Sequence, residues 1–86
     1  MRQELERILG EELRYLATLT RDRLGLTQKE LGEELQMGET SYSDLERGET
    51  ICASALTAIL LLRMQENPNV FLNRVSERFE GTLQPV

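Results

Sequence analysis

Residues 26–48 read LTQKELGEELQMGETSYSDLERG, and the first half of this segment has the pattern of a short helix. Thr27 is a residue type that caps helix N-termini, and Leu31 and Leu35 lie four residues apart on one helical face. The three residues 36–38 that follow leave room only for a tight turn. The segment therefore predicts one amphipathic helix that ends in an abrupt change of direction.

The second half of the segment predicts another short helix. Tyr42 and Leu45 lie three residues apart on its inner face, and Gly48 is placed to end it. Two short helices joined by so tight a turn form a helix-turn-helix, a unit that can place its second helix in the major groove of DNA.

The residues before this segment predict one long first helix. Apolar residues recur at spacings of three and four from residue 2 to residue 24, which gives a continuous apolar stripe. Gly25 stands where helices end, and Arg21 and Arg23 in the last turn suit the helix dipole. The stripe has to cover something, either the C-terminal helix or a second copy of the chain.

Two further helices are predicted after Gly48. One spans about residues 53–65 and is apolar nearly all round, so we expect it to be the central core helix. The other begins at Pro68, with Asn67 as its cap, and reaches about Glu80, where Gly81 ends it. Its predicted inner face consists of Val70, Phe71, Leu72, Val75 and Phe79. We therefore expect an all-α, five-helix bundle and a single domain over residues 1–86.

Composition excludes several classes of function. The chain has no histidine and one cysteine, Cys52, so it lacks the usual base for a serine or cysteine nucleophile and the usual ligands of a metal site. We expect neither an enzyme nor a metal or other cofactor. No apolar run reaches the length of a membrane span, and a charged helix rather than a secretory signal follows Met1. A cytoplasmic protein is expected.

The Leu-Thr-Gln motif at residues 26–28 and the Leu-Glu-Arg-Gly motif at residues 45–48 closely resemble the phage-repressor (Cro/Xre) helix-turn-helix family. The resemblance covers about residues 16–64 and implies a lambda-repressor-like fold that binds double-stranded DNA. Residues 61–64 and the following Asn-Pro also resemble some antitoxin-type members, more weakly.

The resemblance implies a DNA-contacting role for nine residues. Thr27, Gln28 and Lys29 would meet backbone phosphate at a helix N-terminus, and Arg47 would reach a phosphate at the far end of the second helix. The groove-facing region of that helix would consist of Glu39, Thr40, Ser41, Ser43 and Asp44. Gln28 and Thr40 are both expected to be exposed. Glu46 more often has a structural role in the family, and Arg21 is its natural partner here.

The sequence departs from the family pattern in the turn and in its charge. Gln36 stands where the family usually has the turn glycine, and Gly38 stands where it usually has a capping serine. Glu39 and Asp44 replace the basic or amide residues that members often place there, and carboxylates repel phosphate. Residues 27–48 carry two basic and six acidic side chains, a local net charge of −4, within a chain whose net charge is −5.

Two functions remain open on the sequence. The first is a dimeric, sequence-specific transcription regulator, a repressor or autoregulator, which the intact helix-turn-helix pattern favours. The second is a protein-interaction module or antitoxin-like subunit on a helix-turn-helix scaffold with weak or no DNA binding, whose negative charge is favourable for a basic protein partner. A homodimer would use the first-helix stripe or the fifth helix; alternatively, those residues complete a monomeric core.

Overall fold

The computed structural model describes residues 2–48 and 55–83, with side chains as far as residue 81. The described part of the chain contains five helices and no strand. They are α1 (Arg2–Leu24), α2 (Gln28–Glu34), α3 (Glu39–Arg47), α4 (Ala55–Arg63) and α5 (Pro68–Leu83). The all-α, five-helix prediction is confirmed. None of the described helices combines the length and the hydropathy that crossing a membrane requires.

The long helix α1 is the element on which α3, α4 and α5 all pack. Its stripe places Leu13 and Ala17 at the centre of the core, where both are fully buried. Burying one leucine side chain contributes roughly 1.5–3 kcal/mol, so this stripe is a large share of what stabilises the fold. The rest of the buried apolar cluster comes from the other four helices and from the residue that caps the end of α2: Leu31, Leu35, Tyr42, Leu45, Leu61, Phe71 and Val75.

Helix α5 packs along the α1 stripe, which confirms one of the two alternatives for what that stripe packs against. Phe71 and Val75 are buried there, and Phe79 is partly buried. The prediction was wrong for Val70 and Leu72, which are 66% and 46% exposed. Residues four apart share a helical face, and these two lie one position to either side of Phe71, so neither shares the buried face of Phe71 and Val75.

The prediction that the fourth helix is the central core helix is also wrong. In α4 only Thr57 and Leu61 are buried, whereas Leu56 and Ile59 are each 57% exposed. The helix packs one face on α1, and its apolar outer face has no covering element in the described part of the chain. The predicted start of this helix at residues 53–54, and Cys52, lie outside the described residues.

The helix ends follow local chemistry with one exception. Gly25 has a φ of +67°, the left-handed conformation expected of a glycine after a helix. The Asn67 side chain accepts a hydrogen bond from the Asn69 amide at 3.1 Å, and Pro68 is the first helical residue, both as predicted. Gly81 does not end α5, which continues to Leu83. Glycine in a last turn costs about 1 kcal/mol relative to alanine, which the preceding turns can offset.

Candidate nucleic-acid interface

Helix α2 begins with a reciprocal capping box. Thr27 Oγ1 accepts a hydrogen bond from the Glu30 amide at 3.1 Å, and Glu30 Oε1 accepts one from the Thr27 amide at 2.9 Å. These bonds satisfy two amides that the helix itself leaves unpaired. The hydrogen bond from the Thr27 backbone lowers the pKa of Glu30. Leu31 and Leu35 are buried beneath the helix, so the predicted inner face of α2 is confirmed.

The turn between α2 and α3 is as tight as its length predicts. Gln36 has a φ of +60°, a left-handed conformation that costs a residue with a side chain roughly 1–2 kcal/mol. The Met37 amide bonds to the Gly32 carbonyl at 2.8 Å. A Cβ on Gly32 would lie 3.2 Å from the Met37 carbonyl oxygen and 3.3 Å from Tyr42 Cβ. Gly32 therefore permits the close approach of the two helices.

Helix α3 has a buried face and an open face. Tyr42 and Leu45 are buried against the core, and Gly48 ends the helix in a left-handed conformation with a φ of +76°. Gly38 is the N-cap and supplies no side-chain bond to the first turn. The opposite face consists of the exposed Glu39, Thr40 and Ser41 and the half-buried Ser43 and Asp44.

An ion pair fixes α3 on α1. Arg21 Nε lies 3.0 Å from Glu46 Oε2, and Arg21 Nη2 lies 3.1 Å from Glu46 Oε1, which confirms the predicted pairing. The pKa of Arg21 is raised by its hydrogen bonds to this carboxylate. Gln28 Nε2 also donates to Glu46 Oε2, at 3.2 Å. Gln28 is therefore half-buried rather than exposed as expected, because its amide is turned toward α3.

The Tyr42 hydroxyl lies beneath this ion pair. It is fully buried and has no hydrogen-bond partner among the described residues. Burial, followed by the nearby Glu46 carboxylate, raises the pKa of the phenol well above its usual value. The ring fills the space between α2 and α3 and stabilises their crossing, while the hydroxyl adds no bond that the structure describes.

The basic side chain of α3 is engaged on its own helix. Arg47 Nη1 donates to Ser43 Oγ at 3.1 Å, and Arg47 Nη2 pairs with Asp44 Oδ1. Asp44 and Arg47 are three residues apart, a spacing at which helical side chains meet. That spacing is visible in the sequence, and the pair was not predicted. The other basic residue of this region, Lys29, is exposed on the first turn of α2.

Residues 19–64, more than half of the chain, match the model of the helix-turn-helix family. The chain belongs to this family. Its fold is the lambda-repressor-like, Cro/Xre-type helix-turn-helix, which is a DNA-binding regulatory family and typically not enzymatic. Searches of curated proteins and of solved structures return no match.

In this helix-turn-helix, the nine predicted contact residues lie on two adjacent elements. Thr27, Gln28 and Lys29 open α2, and the other six lie along α3. Gln28 connects the two groups through its bond to Glu46. The unit therefore presents hydroxyl and amide groups together with carboxylates. Its two basic residues, Lys29 and Arg47, are outnumbered by six acidic residues within 27–48.

Proposed function

We propose that this helix-turn-helix protein is a sequence-specific transcription regulator, a repressor or autoregulator, that inserts α3 into the major groove of DNA. One observation carries the proposal: α3 has its inner face fixed and its outer face open. Tyr42 and Leu45 are buried, and Glu46 is bonded to Arg21, whereas Thr40 and Ser41 are exposed. A recognition helix has to be rigidly held yet open on one side to read base edges.

The proposed contacts follow from the chemistry of each side chain. Lys29 and Arg47 contact phosphates, and the exposed hydroxyls of Thr40 and Ser41 bond base edges. Ser43 adds a third hydroxyl on the same helix. Glu39 and Asp44 can only accept hydrogen bonds when ionised, so their natural partner in the major groove is the N4 amino group of cytosine. Thr27 and Gln28 position α2 at the backbone.

The acidic side chains of this region limit non-specific binding to DNA. Non-specific affinity comes almost entirely from neutralising phosphates with basic side chains. Here Asp44 already pairs with Arg47, and the region has a net charge of −4. Specific binding then depends on base contacts and on two copies acting together on half-sites about 34 Å apart. We include the homodimer, formed from a single domain over residues 1–86, in the proposal.

A second candidate function rests on the acidity of this surface. Glu33, Glu34 and Glu39 are exposed beside the open face of α3, and a cation of the partner could displace Arg47 from Asp44. Such a surface suits a basic protein, as in an antitoxin-like subunit. The two candidate functions differ in the side chains that bind the partner. A basic protein would bind through the carboxylates, whereas DNA would bind through Lys29 and Arg47.

The experiment that tests the proposal compares two hydroxyl deletions. Thr40→Ala removes an exposed hydroxyl on α3, and Ser76→Ala removes an exposed hydroxyl on α5. Fluorescence anisotropy with an operator selected by the parent protein should show at least a tenfold loss of affinity for Thr40→Ala, with unchanged thermal unfolding. Ser76→Ala should match the parent in both measurements. Equal operator binding by Thr40→Ala and the parent would contradict the assigned role of α3.

A further inference from the structure

A groove of about 510 Å³ lies between α1 and the beginning of α5. On α1 its wall includes Tyr15, Leu19 and Arg23, spaced every four residues along one helical face. Arg21, which bonds Glu46 of α3, points in a different direction on the same helix. The groove is therefore separate from the DNA-facing surface. Its volume falls within the roughly 300–1,000 Å³ typical of small-molecule sites.

The walls of the groove are apolar and open to solvent. Tyr15, Leu19 and Val70 are about half or more exposed, and Phe71 and Leu16 lie between them. Exposed apolar residues that cluster around one concavity differ from scattered surface residues, because they mark a surface that a ligand or partner can cover. An apolar body placed here would remove these side chains from water.

The one acidic residue of the groove is already neutralised. Glu12 is 3% exposed and accepts two hydrogen bonds from Arg74 Nε, at 2.7 and 2.9 Å. Arg78 adds a third contact at 3.5 Å. Arg74 also lies over the Tyr15 ring, 5.2 Å from its centroid. A carboxylate that is buried and paired twice with guanidinium groups exerts little repulsion on an incoming anion.

At the other end of the groove, Arg23 is a cationic group that a ligand can reach. It is exposed and donates from Nη2 to the Met64 carbonyl oxygen at 2.8 Å, and the described residues offer it no ion pair with a carboxylate. A guanidinium group has five N–H donors, so this bond leaves capacity for an anion. Two arginines and one carboxylate give the groove a net charge of +1, in a chain of net charge −5.

We infer that this groove binds an amphipathic organic anion, with its apolar body against Tyr15, Leu19 and Val70 and its carboxylate at Arg23. The α1 wall from Glu12 to Arg23 spans about 16 Å at 1.5 Å per residue, which suits an extended chain rather than a compact ring. A second copy fits less well, because an isologous contact apposes the same surface of both copies and each groove carries a net charge of +1.

The inference does not depend on DNA binding, and most of the groove lies outside the family match. Tyr15, Val70, Phe71 and Arg74 fall on either side of residues 19–64. Binding can therefore be measured on the protein alone, without DNA, so that failure of one proposal leaves the other intact.

The test uses decanoate, with decanol as an uncharged probe of the same chain length. Decanoate should shift the backbone amide NMR signals of residues 15–23 and 67–74 saturably, and decanol should bind at least tenfold more weakly. Val70→Ser, in the groove, and Arg23→Gln should each weaken decanoate binding at least fivefold. Leu72→Ser, an exposed apolar residue of the same helix outside the groove, is the matched control and should bind as the parent does.

Several outcomes would overturn the inference. These are the absence of saturable shifts, equal binding of decanoate and decanol, or unchanged binding in Val70→Ser. Sedimentation of the parent as a dimer that Val70→Ser dissociates would assign the groove to a second copy instead. Circular dichroism of each variant checks that the helices are intact.

Discussion

Arg21 Nε lies 3.0 Å from Glu46 Oε2, although the two residues are 25 positions apart in the chain. The pair joins the last turn of α1 to the last turn of α3 and is completed by the Gln28 amide. Because Glu46 has only 9% of its side chain exposed, the carboxylate depends on these donors in place of water. One partly buried carboxylate thus ties α3 to α1, in addition to the packing of Tyr42 and Leu45.

Removing the arginine should destabilise the fold. Arg21→Met leaves Glu46 with the Gln28 amide and the more distant Thr18 hydroxyl, at 3.5 Å, as its donors, and the free energy of unfolding in urea should fall by about 2 kcal/mol. Arg2→Gln is the control, because the Arg2 side chain is 90% exposed and its pair with Glu6 should contribute nothing measurable. Equal stability of Arg21→Met and the parent would mean that packing alone holds α3 in place.

Tyr42 should make the protein sensitive to alkaline pH. Burial raises the pKa of the folded-state phenol above the value of about 10 for an unfolded chain. Its contribution to stability is therefore fully present below pH 10 and is lost as pH rises from there toward the folded pKa, because the unfolded state releases the proton first.

Tyr42→Phe tests this dependence. It should leave stability at pH 7 close to that of the parent, since the hydroxyl has no described partner, and it should flatten the loss of stability above pH 10. Tyr15→Phe changes a half-exposed ring and should retain the parent's alkaline slope. Thermal unfolding from pH 7 to pH 11 measures both. A large loss at pH 7 in Tyr42→Phe would reveal a bond that the hydroxyl makes.

Two glycine-to-alanine changes should have opposite effects on the free energy of unfolding. Gly32→Ala places a Cβ 3.2 Å from a backbone carbonyl oxygen and should destabilise the protein by about 1 kcal/mol despite the better helix propensity of alanine. Gly81→Ala meets nothing within 4 Å in α5 and should stabilise it by up to about 1 kcal/mol. Chemical denaturation of both variants measures the difference. Stabilisation by Gly32→Ala would show that the helix-turn-helix can open at this crossing.

Neutralising Asp44 should strengthen binding to DNA of any sequence. Asp44→Asn removes a negative charge and releases Arg47 from its ion pair, so affinity should rise and its dependence on salt should become steeper. Glu77→Gln makes the same change of charge at an exposed site on α5 and controls for net charge. If both variants gain the same affinity for DNA, the ion pair with Asp44 does not limit the contact of Arg47 with phosphate.

The sequence predicted the helix-turn-helix better than it predicted the exposed faces of α4 and α5, and the reason is physical. Thr27, Leu31, Tyr42 and Leu45 follow from capping and periodicity, which are local, and the resemblance supplied the Arg21–Glu46 pair. Periodicity tells which residues share a face, but not which faces another element covers. For that reason, the exposed Ile59 of the nearly all-apolar fourth helix could not be anticipated.

Other features needed the packed structure. The bond from Gln28 to Glu46 depends on the crossing of α2 and α3, and the groove depends on where α5 meets α1. Val70 was assigned to the inner face because it is apolar, although its spacing from Val75 does not repeat at three or four. The Asp44–Arg47 pair also had a visible signal in the sequence, because the two residues are three positions apart.

Selection of DNA by the full chain tests the central claim most directly. The protein is mixed at low salt with a randomised DNA library, bound fragments are sequenced, and the affinity of an enriched fragment is titrated against salt. The account predicts a repeated half-site about one helical turn apart. Two cations per copy predict a shallow logarithmic salt slope, no steeper than about −4 for two copies. No enrichment at any salt concentration would contradict a DNA-reading role for α3 and favour the basic protein partner.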